Sequence, residues 1–188
     1  MIDPYNITNY NRTDFELQEW AIFCVMVAGK KSEPSADYAD LLVDPAREAG
    51  LTPFDYYKKN KDELEINLRE IKCGQYTRIT KAIEGLLELD LRTCSVDDLL
   101  AIKGIGFKTS RFFMLHSRRN ITCAVIDTHV LKFLKEHKVD KVPDVTPTSK
   151  NKYVYLEKEY LKLAHKLYPN KPLAEVDLEI WSTYRAKK

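Results

Sequence analysis

Residues 102–111 read IKGIGFKTSR and set two glycines and a lysine inside an otherwise helix-forming run. Glycine costs about 1 kcal/mol against alanine in a helix interior, so the pair marks a turn between two helices. A helix that starts directly after such a turn presents unpaired N–H groups and the positive end of its dipole. Both favour an anion such as a phosphate oxygen. Ile105, between Gly104 and Gly106, can pack inward while Lys103, Lys108 and Arg111 surround the turn with charge. That combination can position a nucleic-acid backbone without reading its sequence. A tight helix–helix turn with no ligand accounts for the glycines equally well. Nineteen positions beyond Lys108, Asp127 stands at the mouth of another helix in VIDTHV. Taken singly it reads as an N-cap that accepts backbone N–H groups from the next turn. The glycine turn, the lysine and the aspartate nevertheless occur together, joined by a connector, RRNITCAVI, whose β-branched and apolar residues favour extended chain.

The elements that must position these groups read as helices. DFELQEWAIFCVMVA (14–28) opens on an acidic turn and is apolar nearly all round, the pattern of a buried helix. GKKSEPS breaks it, and ADYADLLV resumes as helix until Pro45 and Gly50 intervene. Thr52–Pro53 starts a further helix. KDELEINLREI repeats Leu64, Leu68 and Ile71 at helical spacing, and TRITKAIEGLLELD does so with Ile79, Ile83 and Leu86. SVDD (95–98) matches a capping box ahead of LLAI, and FKTSRFFMLHS follows the glycine turn. DTHVLKFLKEH, KYVYLEKEYLKLAHKLY and PLAEVDLEIWSTYR complete the set. No strand is indicated, so the expected fold class is all-α.

Composition narrows the function classes. With 188 residues the chain can bury a core as one domain or as two small helical lobes. No apolar run approaches the roughly 20 residues of a membrane span, and the first residues lack the features of a secretory signal, so the expected location is inside the cell, in cytoplasm, nucleoid or nucleus. Cys24, Cys73, Cys94 and Cys123 form no C-x-x-C pair, which argues against a zinc site or an iron–sulfur cluster and for buried thiols. The net charge of +2 is unevenly spread: residues 1–102 hold 12 Lys/Arg against 19 Asp/Glu, whereas 103–141 hold 9 against 3. A basic segment around the glycine turn suits a polyanion, although it also suits a solvated face.

LLAIKGIGFKTSRFFMLHS with AVIDTHVLKFL resembles the helix-hairpin-helix DNA glycosylase superfamily, over about residues 15–188. The resemblance implies one catalytic unit with two helical lobes, at about 1–34 plus 142–188 and about 35–141, the second carrying the hairpin 95–117, with the site in a cleft between them. It implies excision of a damaged base from DNA. By position, Lys108 matches the lysine that bifunctional members use as nucleophile, Asp127 the catalytic aspartate, and His129 a phosphate contact. Gly104, Ile105, Gly106, Lys108 and Thr109 would hold another phosphate, with Lys103 beside them. Carbonyls of Leu100, Ile102 and Ile105 match ligands of a monovalent Na or K ion; no other cofactor is implied.

Short length, Lys108 and the ending LAEVDLEIWSTYRAKK look like the small archaeal-type 8-oxoguanine DNA glycosylases, in which Trp181 would stack on the extruded base and Lys188 would bind nearby. Trp181 reads equally as core, and a terminal lysine as solvated. Relatives often place Asn or Gln after the first core helix; here the loop is AGKKS, so Lys30 or Lys31 would fill the gap or grip phosphate, or would simply be solvated. The expectation is a monomeric 8-oxoguanine glycosylase with lyase activity on damaged DNA. The alternatives are a relative specific for another damaged or modified base, and a non-catalytic DNA-binding module.

Overall fold

The computed structural model describes residues 2–186, so Lys188 lies outside the described residues. Among them are ten helices and no strand, the all-α class expected. The chain forms two compact units, Met1–Ile105 and Gly106–Lys188. The division falls inside the glycine turn and not near residues 34 and 141. The reason lies in packing: the first helix rests on helices that follow it directly, and so belongs with them.

In the first unit, α1 (Asp14–Met26) starts at a capping box between Thr13 and Glu16 and buries every position from Leu17 through Met26 except Gln18. It packs on α2 (Ser32–Glu48), α3 (Pro53–Lys59) and α5 (Tyr76–Leu87). α4 (Glu63–Glu70) packs on α5. Two sequence expectations fail in α2. It begins at Ser32, because Pro34 falls in the first turn, where a missing N–H removes no helical bond. It also runs through Pro45, which frees only the carbonyl one turn back, at the exposed Leu41. α6 (Val96–Ala101) carries the expected Ser95–Asp98 capping box.

The second unit holds α7 (Phe107–Ser117), α8 (Thr128–Glu136), α9 (Lys150–Leu167) and α10 (Leu173–Ala186), with α10 against both α7 and α8, and α9 against α8. Its core comprises the apolar faces of these helices, Val130, Leu134, Leu156, Tyr160, Val176 and Ile180 among them. Between α7 and α8 the extended connector passes through this core with Cys123, Ala124, Val125 and Ile126 buried. An extended segment without a partner strand must find acceptors and donors elsewhere. Tyr153 and Glu157 of α9 supply them. The Tyr153 hydroxyl donates to the Ala124 carbonyl at 2.9 Å and accepts the Ile126 N–H at 3.0 Å, and Glu157 Oε1 accepts the Ala124 N–H at 3.0 Å.

Replacing Tyr153 by Phe strands both backbone groups in the core. The variant should lose about 1–3 kcal/mol of stability in chemical denaturation.

Candidate active site

The glycine turn separates two roles for its glycines. Gly104 has φ +101°, and a Cβ there would sit 2.7 Å from the Arg78 carbonyl, so internal packing alone demands glycine. Gly106 is the N-cap of α7 with extended backbone that any residue adopts, and a Cβ there would meet nothing within 4 Å. No contact among the described residues explains it. Ile105 is buried, as expected for the residue that anchors the turn. Ser110 is the first residue of α7 whose N–H reaches an intrahelical acceptor, the Gly106 carbonyl at 3.0 Å. The N–H groups of Phe107, Lys108 and Thr109 therefore open at the helix mouth, where the dipole end is positive. Thr109 has a buried side chain, so only its backbone can serve there.

Asp127 caps α8. Its Oδ1 accepts the N–H groups of His129 at 2.8 Å and Val130 at 2.9 Å, the local role read from the sequence. Both of these bonds fall on one oxygen. The aspartate is half-buried, as is Lys108. A further acid of the second unit, the buried carboxyl of Asp177 on α10, feels the charges of both Lys108 and Asp127. Burial pushes the Asp177 carboxyl up from its ordinary range, and its hydrogen bond to His116 opposes this. His116 Nε2 lies 3.2 Å from Asp177 Oδ2, and the imidazole is fully buried.

Beside this cluster, His129 Nδ1 is buried with no hydrogen-bond partner, and its ring meets Trp181 edge to face at 6.3 Å between centroids. The half-buried Trp181 also carries the Arg185 guanidinium over its ring at 4.8 Å. It is a half-buried residue of α10 with a partly open indole.

Two basic residues do not stand where the sequence suggested. Arg111 does not ring the turn with charge. It is buried, paired with Glu157 at 3.0 Å and stacked over Tyr153 at 4.9 Å, which locks α7 to α9. Lys30 donates to the Cys73 carbonyl at 2.6 Å, and its burial pushes its pKa down; this ties the loop after α1 to the turn before α5. Lys103 is exposed. The Ile102 carbonyl accepts the Ile105 N–H at 3.2 Å. Among the described residues no cluster of His, Cys, Asp or Glu suits a metal ion, and no helix is long and apolar enough to cross a membrane. None of the four cysteines forms a disulfide, and all are buried.

Sequence reading missed Asp177, His116, Arg78, Tyr153 and Glu157. Asp177 had a signal: it shares a helical stripe with Ile180, Trp181 and Tyr184, where an apolar residue is expected. Arg78 had none. It braces the turn from inside, donating to the carbonyls of Val25 at 2.9 Å and Gly104 at 3.3 Å.

Comparison with known proteins bears on the family and the fold. The family model Ogg-HhH, described as 8-oxoguanine DNA glycosylase, matches residues 2–168. The crystal structure of the Methanocaldococcus jannaschii 8-oxoguanine DNA glycosylase is similar in fold, with a TM-score of 0.68 at 22% identity over 97% of this chain and 84% of that one. Helix mouths bearing a lysine and an aspartate, on a chain whose length is matched almost throughout, thus identify it as a member of the helix-hairpin-helix 8-oxoguanine DNA glycosylase family.

Proposed function

We propose that the protein flips 8-oxoguanine out of DNA, releases it, and cleaves the remaining strand by β-elimination through a Schiff base on Lys108. The observation that carries this reading is that Lys108 in the first turn of α7 and Asp127 at the cap of α8 stand at the two helix mouths joined by the buried connector. Phosphate binding alone needs neither an amine nor a carboxylate there.

A base stacked in a duplex hides its glycosidic carbon, so the nucleotide must first be extruded at a cost of a few kcal/mol. As the bond from C1′ to the base breaks, positive charge grows on the sugar. The Asp127 carboxylate, held by its own helix cap, is preorganised to stabilise it. The neutral Lys108 amine adds to C1′ and passes to the Schiff base, from which the 3′ phosphate is eliminated.

The α7 mouth, bounded by Gly104, Ile105, Gly106 and Thr109, holds a backbone phosphate; Lys103 adds charge, and His129 takes a second phosphate. The open side of Gly106 supports a close approach by that backbone. Trp181 offers an indole face to the extruded base, and Lys188 is assigned beside it by resemblance alone. A monovalent ion at the carbonyls of Leu100, Ile102 and Ile105 would supply further positive charge beneath the phosphate. The Ile102 carbonyl fits that role, since one accepted N–H leaves it a second lone pair. No iron–sulfur cluster or other cofactor is invoked. The protein acts as a monomer inside the cell, wherever its DNA resides. Lys30 adds a phosphate contact from the loop after α1, since its bond to the Cys73 carbonyl uses one of three ammonium donors.

Borohydride trapping on duplexes carrying single lesions tests the reading. A covalent adduct should form with 8-oxoguanine DNA and vanish in Lys108→Gln; base release without any adduct would remove the lyase step, and release from a different lesion alone would reassign the substrate. Asp127→Asn keeps the cap, so DNA affinity should hold while turnover falls by about 10²–10³-fold. Gly106→Ala should fold with little loss yet bind DNA more weakly, whereas Gly104→Ala should lose about 1–3 kcal/mol of stability from strain. Denaturation midpoints and DNA titrations separate the two glycines.

A further inference from the structure

The glycine turn is seated on one face of α5. Arg78, Ala82 and Gly85 recur there at helical spacing, and the chain passes close along them: a Cβ at Gly85 would come within 2.5 Å of Ile102 Cγ2, and one at Gly104 within 3.2 Å of the Ala82 Cβ. Shape alone accounts for the two small residues. Arg78 is the exception, a long half-buried cation on the same face. Each of its three nitrogens has an acceptor, and the acceptors come from three separate segments. Nη2 donates to the Val25 carbonyl in the last turn of α1 at 2.9 Å, Nη1 to the Gly104 carbonyl at 3.3 Å, and Nε to Gln75 Oε1 at the start of α5 at 2.7 Å. All three are neutral, whereas Arg111 is paired with Glu157. A carboxylate in their place would set negative charge beside a turn that is to receive an anion. The peptide between Gly104 and Ile105 is held at both ends, its carbonyl by Arg78 and its N–H by the Ile102 carbonyl at 3.2 Å.

We propose that Arg78 is the positioning residue of this turn for DNA: it fixes the Gly104 peptide from inside, so that the backbone is already set to receive a phosphate, and it makes no phosphate contact itself. This rests on the reading of the glycine turn as a phosphate site. The guanidinium suits the task because its planar fork donates in several fixed directions, which a point-like ammonium does not reproduce. Gly104 is the residue that needs such a clamp. At φ +101° and without a side chain, it has little of its own to restrict it. A cation here could instead meet the phosphate directly, or act through its charge alone. Each role leaves a different trace. A direct contact releases counterions, so its loss lowers the salt dependence of binding by about 0.9 per phosphate. A pure charge effect is restored by lysine. Loss of a clamp does neither and loosens the turn.

The test uses the full-length protein and a duplex carrying a non-cleavable abasic-site analogue, titrated at several salt concentrations. Arg78→Gln should bind about tenfold more weakly at each concentration, with the slope of log affinity against log salt unchanged. Arg78→Lys should recover little of that loss, and it carries the test if the first variant fails to fold. Amide exchange at Ile105, read by NMR, should quicken in both variants while exchange within α1 and α5 stays near native. Melting temperature is the control, because reduced stability alone leaves the affinity of the folded protein intact well below the melting point.

Native affinity in Arg78→Gln, a slope lower by about 0.9, native affinity in Arg78→Lys, or weaker binding with unchanged exchange at Ile105 would each overturn the proposal. If the native protein bound the duplex without dependence on salt, or if Gly106→Ala bound it as tightly as the native protein, the phosphate reading of the turn would fall first. Binding that weakens in Gly106→Ala but not in Arg78→Gln would remove only the role of Arg78.

Discussion

The candidate site depends on how an extended segment crosses a helical core. Residues between α7 and α8 have no partner strand, yet Cys123 to Ile126 are buried, and each of their peptide groups needs a hydrogen-bonding partner away from water. α9 meets that requirement with two side chains. Tyr153 bridges the Ala124 carbonyl and the Ile126 N–H, and Glu157 takes the Ala124 N–H while pairing with Arg111 on α7. The same set of bonds therefore fixes the path of the connector and the placement of α7 against α9. Asp127 follows the connector directly, so its position relative to Lys108 is set by groups that make no contact with a substrate.

Charge in this protein divides into a structural and an available fraction. Arg78, Arg111 and Lys30 are bound to carbonyls or a carboxylate of the protein itself, each bracing an element next to the glycine turn or the connector. Lys103 is exposed, and Lys108 is half-buried at the mouth of α7. The basic segment that stands out in the sequence therefore overstates the field offered to a polyanion. What matters is which cations already have partners, because a guanidinium stacked on an aromatic ring and paired with a glutamate is not free to meet a phosphate.

Local inconsistency is plain in the second unit. An acid sits on a buried helix face beside His116, and a histidine nitrogen and a tyrosine hydroxyl are buried without partners. Each of these costs stability where an apolar alternative would not. The first unit has departures of its own, Glu19 buried on α1, Arg12 buried ahead of it and the Thr80 hydroxyl buried without a partner. Departures of this kind persist where side chains serve chemistry or the surrounding core compensates for them.

Helix existence was legible in the sequence because caps and apolar periodicity are local. Ser95–Asp98, Asp127, the largely apolar α1 and the inward Ile105 all follow from neighbours within a few residues. The glycine turn and the aspartate cap also carried the family resemblance, since their spacing along the chain is itself the signal. Other features were decided only by tertiary structure. Whether Pro45 ends a helix depends on which carbonyl it frees, whether Arg111 faces DNA or Glu157 depends on a helix 46 residues away, and whether Asp177 meets His116 depends on how α10 lies on α7. Dipoles, caps and periodicity act over a turn or two of chain, whereas pairing and burial of charge are set by contacts between segments that the sequence keeps far apart.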